Sequence, residues 1–90
     1  MQQLRLIRLP EVMHRRGDGV TAVYAAIKAG TFVPPVKLTT RTSAWPSHEV
    51  DELIAATIAG ATDKQLRELV VDLVGRRATL MPKLGVSAAS

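Results

Sequence analysis

Gly17-Asp18-Gly19-Val20-Thr21-Ala22-Val23-Tyr24-Ala25-Ala26-Ile27-Lys28-Ala29-Gly30 is the stretch whose reading decides the fold. Two glycines permit positive φ, and the aspartate between them can accept hydrogen bonds from the amides that follow, so Gly17-Asp18-Gly19 reads as a turn. The alanine-rich run from Val20 to Ala29 reads as a helix, with Gly30 as the residue that caps its C-terminus. At about 100° per residue, Val20, Val23 and Ile27 share one face while Thr21, Tyr24, Ala25 and Lys28 share the other. The first face is expected in a core, and the second is available to a partner.

Outward from this stretch, Pro10 to Arg16 reads as a preceding helix: proline suits its first position, Glu11 its positive end, and Arg15 and Arg16 its negative end. Gln2 to Leu9 alternates loosely, as a short strand or an extended arm. On the other side, Pro34 and Pro35 stop the helix. Val36-Lys37-Leu38 and Ser43-Ala44-Trp45 are short strands, joined through Thr39-Thr40-Arg41-Thr42 into a hairpin with an arginine in its loop. Pro46 opens a third helix, with Val50, Leu53, Ile54 and Ile58 at helical spacing and an end expected at Gly60. Thr62 and Gln65 form a capping box ahead of Leu66, Leu69, Val70, Leu73 and Val74, which mark a fourth, amphipathic helix ending near Gly75. Arg76 to Ser90 shows no regular period. The expected fold is mainly α with a small β-hairpin wing, a winged helix-turn-helix plus a C-terminal helix. Residues 1–60 are expected to form the winged helix-turn-helix domain, 61–77 a helix packed on it or on a neighbour, and 78–90 a flexible tail.

Composition bounds the function. Ninety residues allow one modest domain, and with only three percent aromatic residues the core is expected to be aliphatic. Without cysteine there is no disulfide, thiolate metal site or thiol nucleophile. The longest uncharged apolar run, Leu53 to Thr62, is too short to span a bilayer, so a soluble protein is expected, and the lack of cysteine fits a cytoplasmic one with no membrane partner. The net charge of +4 is uneven: residues through His48 hold seven basic and two acidic side chains, and the remainder five and six. A basic half points to a polyanionic partner, chiefly nucleic acid. His14, His48, Asp18, Glu49 and Asp51 are potential acid-base groups, but His48-Glu49 lacks the second histidine of a zinc-protease motif and no P-loop is present. No catalytic residue, metal or cofactor is therefore expected, and the protein is not read as an enzyme.

Several residues together resemble one known family. Arg8-Leu9-Pro10-Glu11-Val12, Val23-Tyr24, Ile27-Lys28-Ala29-Gly30, Phe32, Pro35-Val36-Lys37-Leu38, Ala44-Trp45-Pro46 and Glu49-Val50-Asp51 look like the AlpA family of prophage regulators, which is related to excisionases and to MerR-type DNA-binding heads. The resemblance runs from Arg8 to about Ile58. It implies that the second helix enters a major groove of double-stranded DNA while the hairpin reaches an adjacent groove or the backbone. It also implies a role in site-specific recombination or transcription.

The sequence departs from the family in the turn and at the start of the second helix. Where members commonly carry Leu and Ser, a Ser-Arg-Ser-like start, and an arginine after the tyrosine, this chain has Asp18, Gly19, Val20-Thr21 and Ala25. With the usual base-reading arginines missing, part of any specificity must come from DNA shape, from the wing or from side-by-side assembly.

On this reading the DNA-contacting residues are Arg15, Arg16, Thr21, Ala22, Tyr24, Ala25, Lys28, Lys37, Thr40 and Arg41. Trp45 is core. The stripe Leu66, Leu69, Val70 and Leu73 either covers the domain's own core or, with Leu80, Met81 and Leu84, docks on a neighbouring copy. The expected function is that of an excisionase, a recombination directionality factor that assists an integrase of the tyrosine recombinase type. A transcriptional regulator of mobile-element genes and a protein-binding adaptor with a degenerate winged helix are the alternatives.

Overall fold

A computed structural model describes residues 4–80. It places β1 (Leu6–Ile7), α1 (Leu9–Arg16), α2 (Val20–Ala29), β2 (Val36–Lys37), β3 (Ser43–Pro46), α3 (Ser47–Ile58) and α4 (Asp63–Arg76) in that order, with a 3-10 turn at Arg77–Leu80. This is a winged helix-turn-helix with an added C-terminal helix. The sheet is antiparallel in the order β1-β3-β2, and β3 pairs Leu6 with Pro46 on one side and Val36 with Ala44 on the other.

The helix boundaries follow from local chemistry. α1 carries proline in its first turn and closes on Gly17, which sits at φ 79° and donates its amide to Met13 O at 2.8 Å. That left-handed geometry suits glycine because a Cβ there crowds the following carbonyl. Gly19, by contrast, is the extended N-cap of α2, and no side chain caps that helix. The amide-capping role expected of Asp18 is not realised. Its carboxylate instead receives Arg16 in a two-point contact, Nε at 3.0 Å and Nη2 at 2.7 Å, because a charge-assisted pair outcompetes neutral amides. α4 starts with the reciprocal Thr62–Gln65 box. It runs through Gly75, one residue beyond the end expected for it, and continues into the 3-10 turn.

The core is aliphatic, with two aromatic residues at its centre. Ile7, Val12, Val23, Phe32, Val33, Trp45, Val50, Leu53, Val70 and Leu73 form one buried cluster to which each of the four helices contributes. Trp45 is fully buried and donates its indole N–H to Val33 O at 3.1 Å. Two core expectations fail at element ends. Val20, at the first position of α2, is about half exposed, and Ile58, the last residue of α3, is 82% exposed. Both are terminal residues of their helices.

Candidate nucleic-acid interface

The second helix buries Val23 completely and packs Ile27 and Ala26 against the core, which leaves Thr21, Ala22, Tyr24, Ala25 and Lys28 exposed. Three of these five are alanine or threonine, so the outward face is nearly flat. Tyr24 marks its edge. Its ring meets Trp45 edge-on, with centroids 6.4 Å apart and planes at 67°, while 45% of the residue remains exposed. One side of Tyr24 therefore anchors α2 to the wing's second strand, and the other faces solvent.

The wing is small and exposed. β2 and β3 pair at two positions, Val36 with Ala44 and Lys37 with Ser43. Beyond them Leu38 N donates to Thr42 O at 2.8 Å, and the Thr39 hydroxyl accepts from the amides of Arg41 and Thr42. These bonds shape the loop, and Lys37, Thr40 and Arg41 project from it with high exposure. The loop lies on the same side as the exposed face of α2: Arg41, Ser43, Tyr24 and Trp45 line one open cleft of about 420 Å³ together with Arg8, Leu9 and Pro10.

Arg8 is not among the residues expected to contact DNA, yet it lines this cleft. Its proximity to Arg41 depends on the β1–β3 pairing, a tertiary contact with no local signal.

Ion pairs sort the basic residues into two groups. Arg15 bridges Glu11 at 2.9 Å and Asp51 at 3.0 Å; Arg16 holds Asp18 and stacks 4.6 Å from the centroid of Phe32; Arg76 pairs with Asp72; Arg77 pairs with Glu49. Arg15 and Arg16, both expected to meet phosphate, are thus engaged in tying α1 to α3 and to the turn. Arg5, Arg8, Lys28, Lys37, Arg41, Lys64 and Arg67 make no ion pair among the described residues, and of these Lys28, Lys37 and Arg41 lie on α2 and the wing, with Arg8 in the adjoining cleft. No aspartate or glutamate occurs from Gly19 through His48, so the face built by α2 and the wing is purely cationic. The hydrogen bond from Arg15 holds the Glu11 carboxyl below its ordinary range, and Arg16 does the same for Asp18.

The residues considered for assembly divide as well. Val70 and Leu73 are buried in the chain's own core, and Leu66 and Leu69 pack against it. Leu80 is 52% exposed, while Met81 and Leu84 lie outside the described residues, as does most of the segment expected as a tail. Among the described residues no group of three or more His, Asp or Glu side chains is arranged to hold a metal ion, and no helix is long and apolar enough to cross a membrane.

Comparison with known proteins bears on the same region. A family model described as prophage CP4-57 regulatory protein (AlpA) matches residues 5–58, from the residue before β1 to the end of α3. An uncharacterized protein of Enterobacteria phage P4, ORF88, is 41% identical over 58 residues, a stretch that covers 64% of this chain and 66% of that protein. The match thus spans about two thirds of that relative's length. No solved structure matches the chain significantly.

Proposed function

This chain belongs to the AlpA family of prophage regulatory proteins, and we propose that it binds double-stranded DNA with α2 in the major groove and the wing against the neighbouring backbone or minor groove. The observation that carries the reading is the shared cleft of Tyr24 and Arg41. It sets the exposed face of α2 and the wing loop on one side of the molecule, where no carboxylate of residues 19–48 opposes a phosphate. Lys28, Lys37, Arg41 and Arg8 supply the backbone contacts. Thr21, Ala22, Tyr24, Ala25 and Thr40 supply the close-approach surface. Phosphate contacts of this kind fix register and carry most of the affinity, while sequence is read elsewhere.

The role we assign to this binding is recombination directionality. Several copies occupy adjacent sites in the attachment region of an integrated element, bend the DNA, and help a tyrosine-type integrase assemble the complex that excises it. Such work takes place in the bacterial cytoplasm, at the nucleoid. The protein contributes DNA geometry and no chemistry of its own, and the strand exchange belongs to the integrase. Since Leu66, Leu69, Val70 and Leu73 are engaged within the chain, contact between copies rests on other surfaces, Leu80 among them.

An excision assay with purified integrase and an attachment-site substrate tests the role. Excision is expected to depend on this protein and to fall when Arg41 is replaced by alanine. Equal excision with and without the protein rejects directionality. The regulatory description of the matched family favours a second reading, control of transcription from a mobile-element promoter, which a promoter-reporter measurement in the same strain detects. Absence of duplex binding even at low salt would leave the protein-binding adaptor as the surviving alternative.

A further inference from the structure

Arg77 lies beyond the stretch matched by the family, at the start of the 3-10 turn that follows α4. Its guanidinium reaches two parts of the chain at once. Nε donates to both carboxylate oxygens of Glu49, at 3.2 and 3.0 Å, and Nη2 donates to Glu49 Oε1 at 2.6 Å and to the backbone carbonyl of Pro34 at 2.8 Å. Glu49 is 1% exposed, so Arg77 is the ion-pair partner of a carboxylate that water scarcely reaches.

The placement of those two partners gives the contact its meaning. Pro34 stands just before β2, the wing's first strand, and Glu49 lies in the first turn of α3, which follows the wing's last strand directly. One guanidinium therefore joins the two roots of the wing. A second tie sits beside it, from the Trp45 indole to the carbonyl of Val33, the residue before Pro34. Between the roots and the loop, the hairpin has only two paired positions. A ladder that short has little stiffness of its own, so its direction is set where it is fastened.

We propose that Arg77 is a positioning residue for the wing: by bridging Pro34 and Glu49 it fixes the angle at which Arg41 meets DNA. The inference rests on the DNA-binding reading above and adds that the C-terminal helix is part of the binding apparatus. α4 delivers the arginine. The Thr62–Gln65 box starts the helix, Val70 and Leu73 dock it into the core, and Arg77 follows its last turn.

Arg77 also neutralises Glu49, so simple removal would strand a buried charge and confuse positioning with folding. The test therefore uses the full chain carrying Glu49→Met and Arg77→Met together, which removes both charges and the Pro34 tie while keeping apolar bulk. Arg77→Lys serves as a second variant: it retains a counter-charge for Glu49 but not the planar fork that reaches two partners. A thermal melt first establishes which variant is folded. Affinity for a mixed-sequence duplex is then measured at several salt concentrations, alone and combined with Arg41→Ala or Lys28→Ala, alongside hydrogen exchange at the Leu38 amide inside the wing.

In the folded variants we expect faster exchange at Leu38, weaker DNA binding, and a salt dependence reduced by about one phosphate contact. We also expect Arg41→Ala to cost little further affinity in either background, while Lys28→Ala stays additive. Unchanged exchange at Leu38, or an Arg41→Ala effect as large as in the parent chain, overturns the positioning role even though DNA binding itself stands. Failure of the parent chain to bind duplex is a separate result that rejects the DNA-binding reading and, with it, this one.

Discussion

Deleting residues 61–90 leaves the matched region intact, yet the structure predicts that the remainder will not hold its fold. Val70 and Leu73 are buried in the same cluster as Val12, Val23 and Trp45, and their loss exposes the core surface they cover. Burial of two aliphatic side chains of this size contributes about 3–6 kcal/mol. The deletion also removes Arg77 from Glu49, and breaking a buried pair by taking away one partner costs about 3–5 kcal/mol. Together the two effects amount to roughly 6–11 kcal/mol, against a total stability of about 5–14 kcal/mol for a chain of this length.

Urea titration followed by far-UV circular dichroism and by the emission of Trp45, the single tryptophan, is the direct assay. The full chain is expected to give one cooperative transition, and the fragment 1–60 none, with emission shifted toward that of an exposed indole. Leu73→Ala in the full chain isolates the packing part and is expected to cost about 2–5 kcal/mol. A fragment with a cooperative transition and full-chain emission would refute this reasoning, and α4 would then be an appendage rather than a component of the domain.

Three further outcomes follow from the same geometry. Lys28→Ala and Arg41→Ala are each expected to weaken duplex binding and to lower the slope of log affinity against log salt by about one; a fluorescence-anisotropy titration reads both, and an unchanged slope removes that residue from the interface. Gly17→Ala is expected to destabilise by about 1–2 kcal/mol in urea melts, the local conformational cost of a left-handed residue, since beyond its own chain neighbours a Cβ there meets no atom within 4 Å. The folded state depresses the carboxyl groups of Glu11 and Asp18, so the stabilisation they provide is complete above their unfolded pKa and disappears as pH falls through the lower folded value. The urea midpoint should accordingly drop below about pH 4, and Asp18→Asn should shrink that acid limb.

The helices and wing could be read from the sequence because each is announced locally. Gly17 and Gly30 mark where α1 and α2 stop, Pro34-Pro35 keeps the second helix from running on, and Thr62 with Gln65 sets the start of the fourth. The flat outward face of α2 also followed from spacing alone, since Val23 on one side and Thr21, Tyr24, Ala25 and Lys28 on the other are fixed by helical period. The sorting of the cations was not legible in this way. Arg15 looks like any basic residue at a helix end, and only the packing of α1 on α3 brings Asp51 to its guanidinium from 36 residues away. Arg77 lay in a stretch with no regular period, and its partner Glu49 had an adequate local explanation as an acidic residue near a helix N-terminus. Arg8 joined the wing's cleft through strand pairing that two residues of alternation do not announce.

That sorting bears on how, under the proposed DNA-binding reading, a protein with so plain an outward face on α2 would act at particular sites. A bidentate arginine-to-guanine contact is worth about 1–3 kcal/mol of discrimination, and α2 has no arginine to make one. Discrimination then falls to features of the duplex that a rigid cationic surface can sense, such as groove width and the ease of bending, and these are read through distances between contacts rather than through single bonds. Such readout requires that the spacing between Lys28 on α2 and Arg41 on the wing be held constant. A hairpin free to swing would meet many groove geometries equally well and would distinguish none. On the proposed reading, the ties at the wing's roots, Trp45 to Val33 and Arg77 to Pro34 and Glu49, would let a two-pair ribbon act as part of a gauge. On this argument, loosening the roots should reduce preference for one site over another more than it reduces affinity for DNA in general.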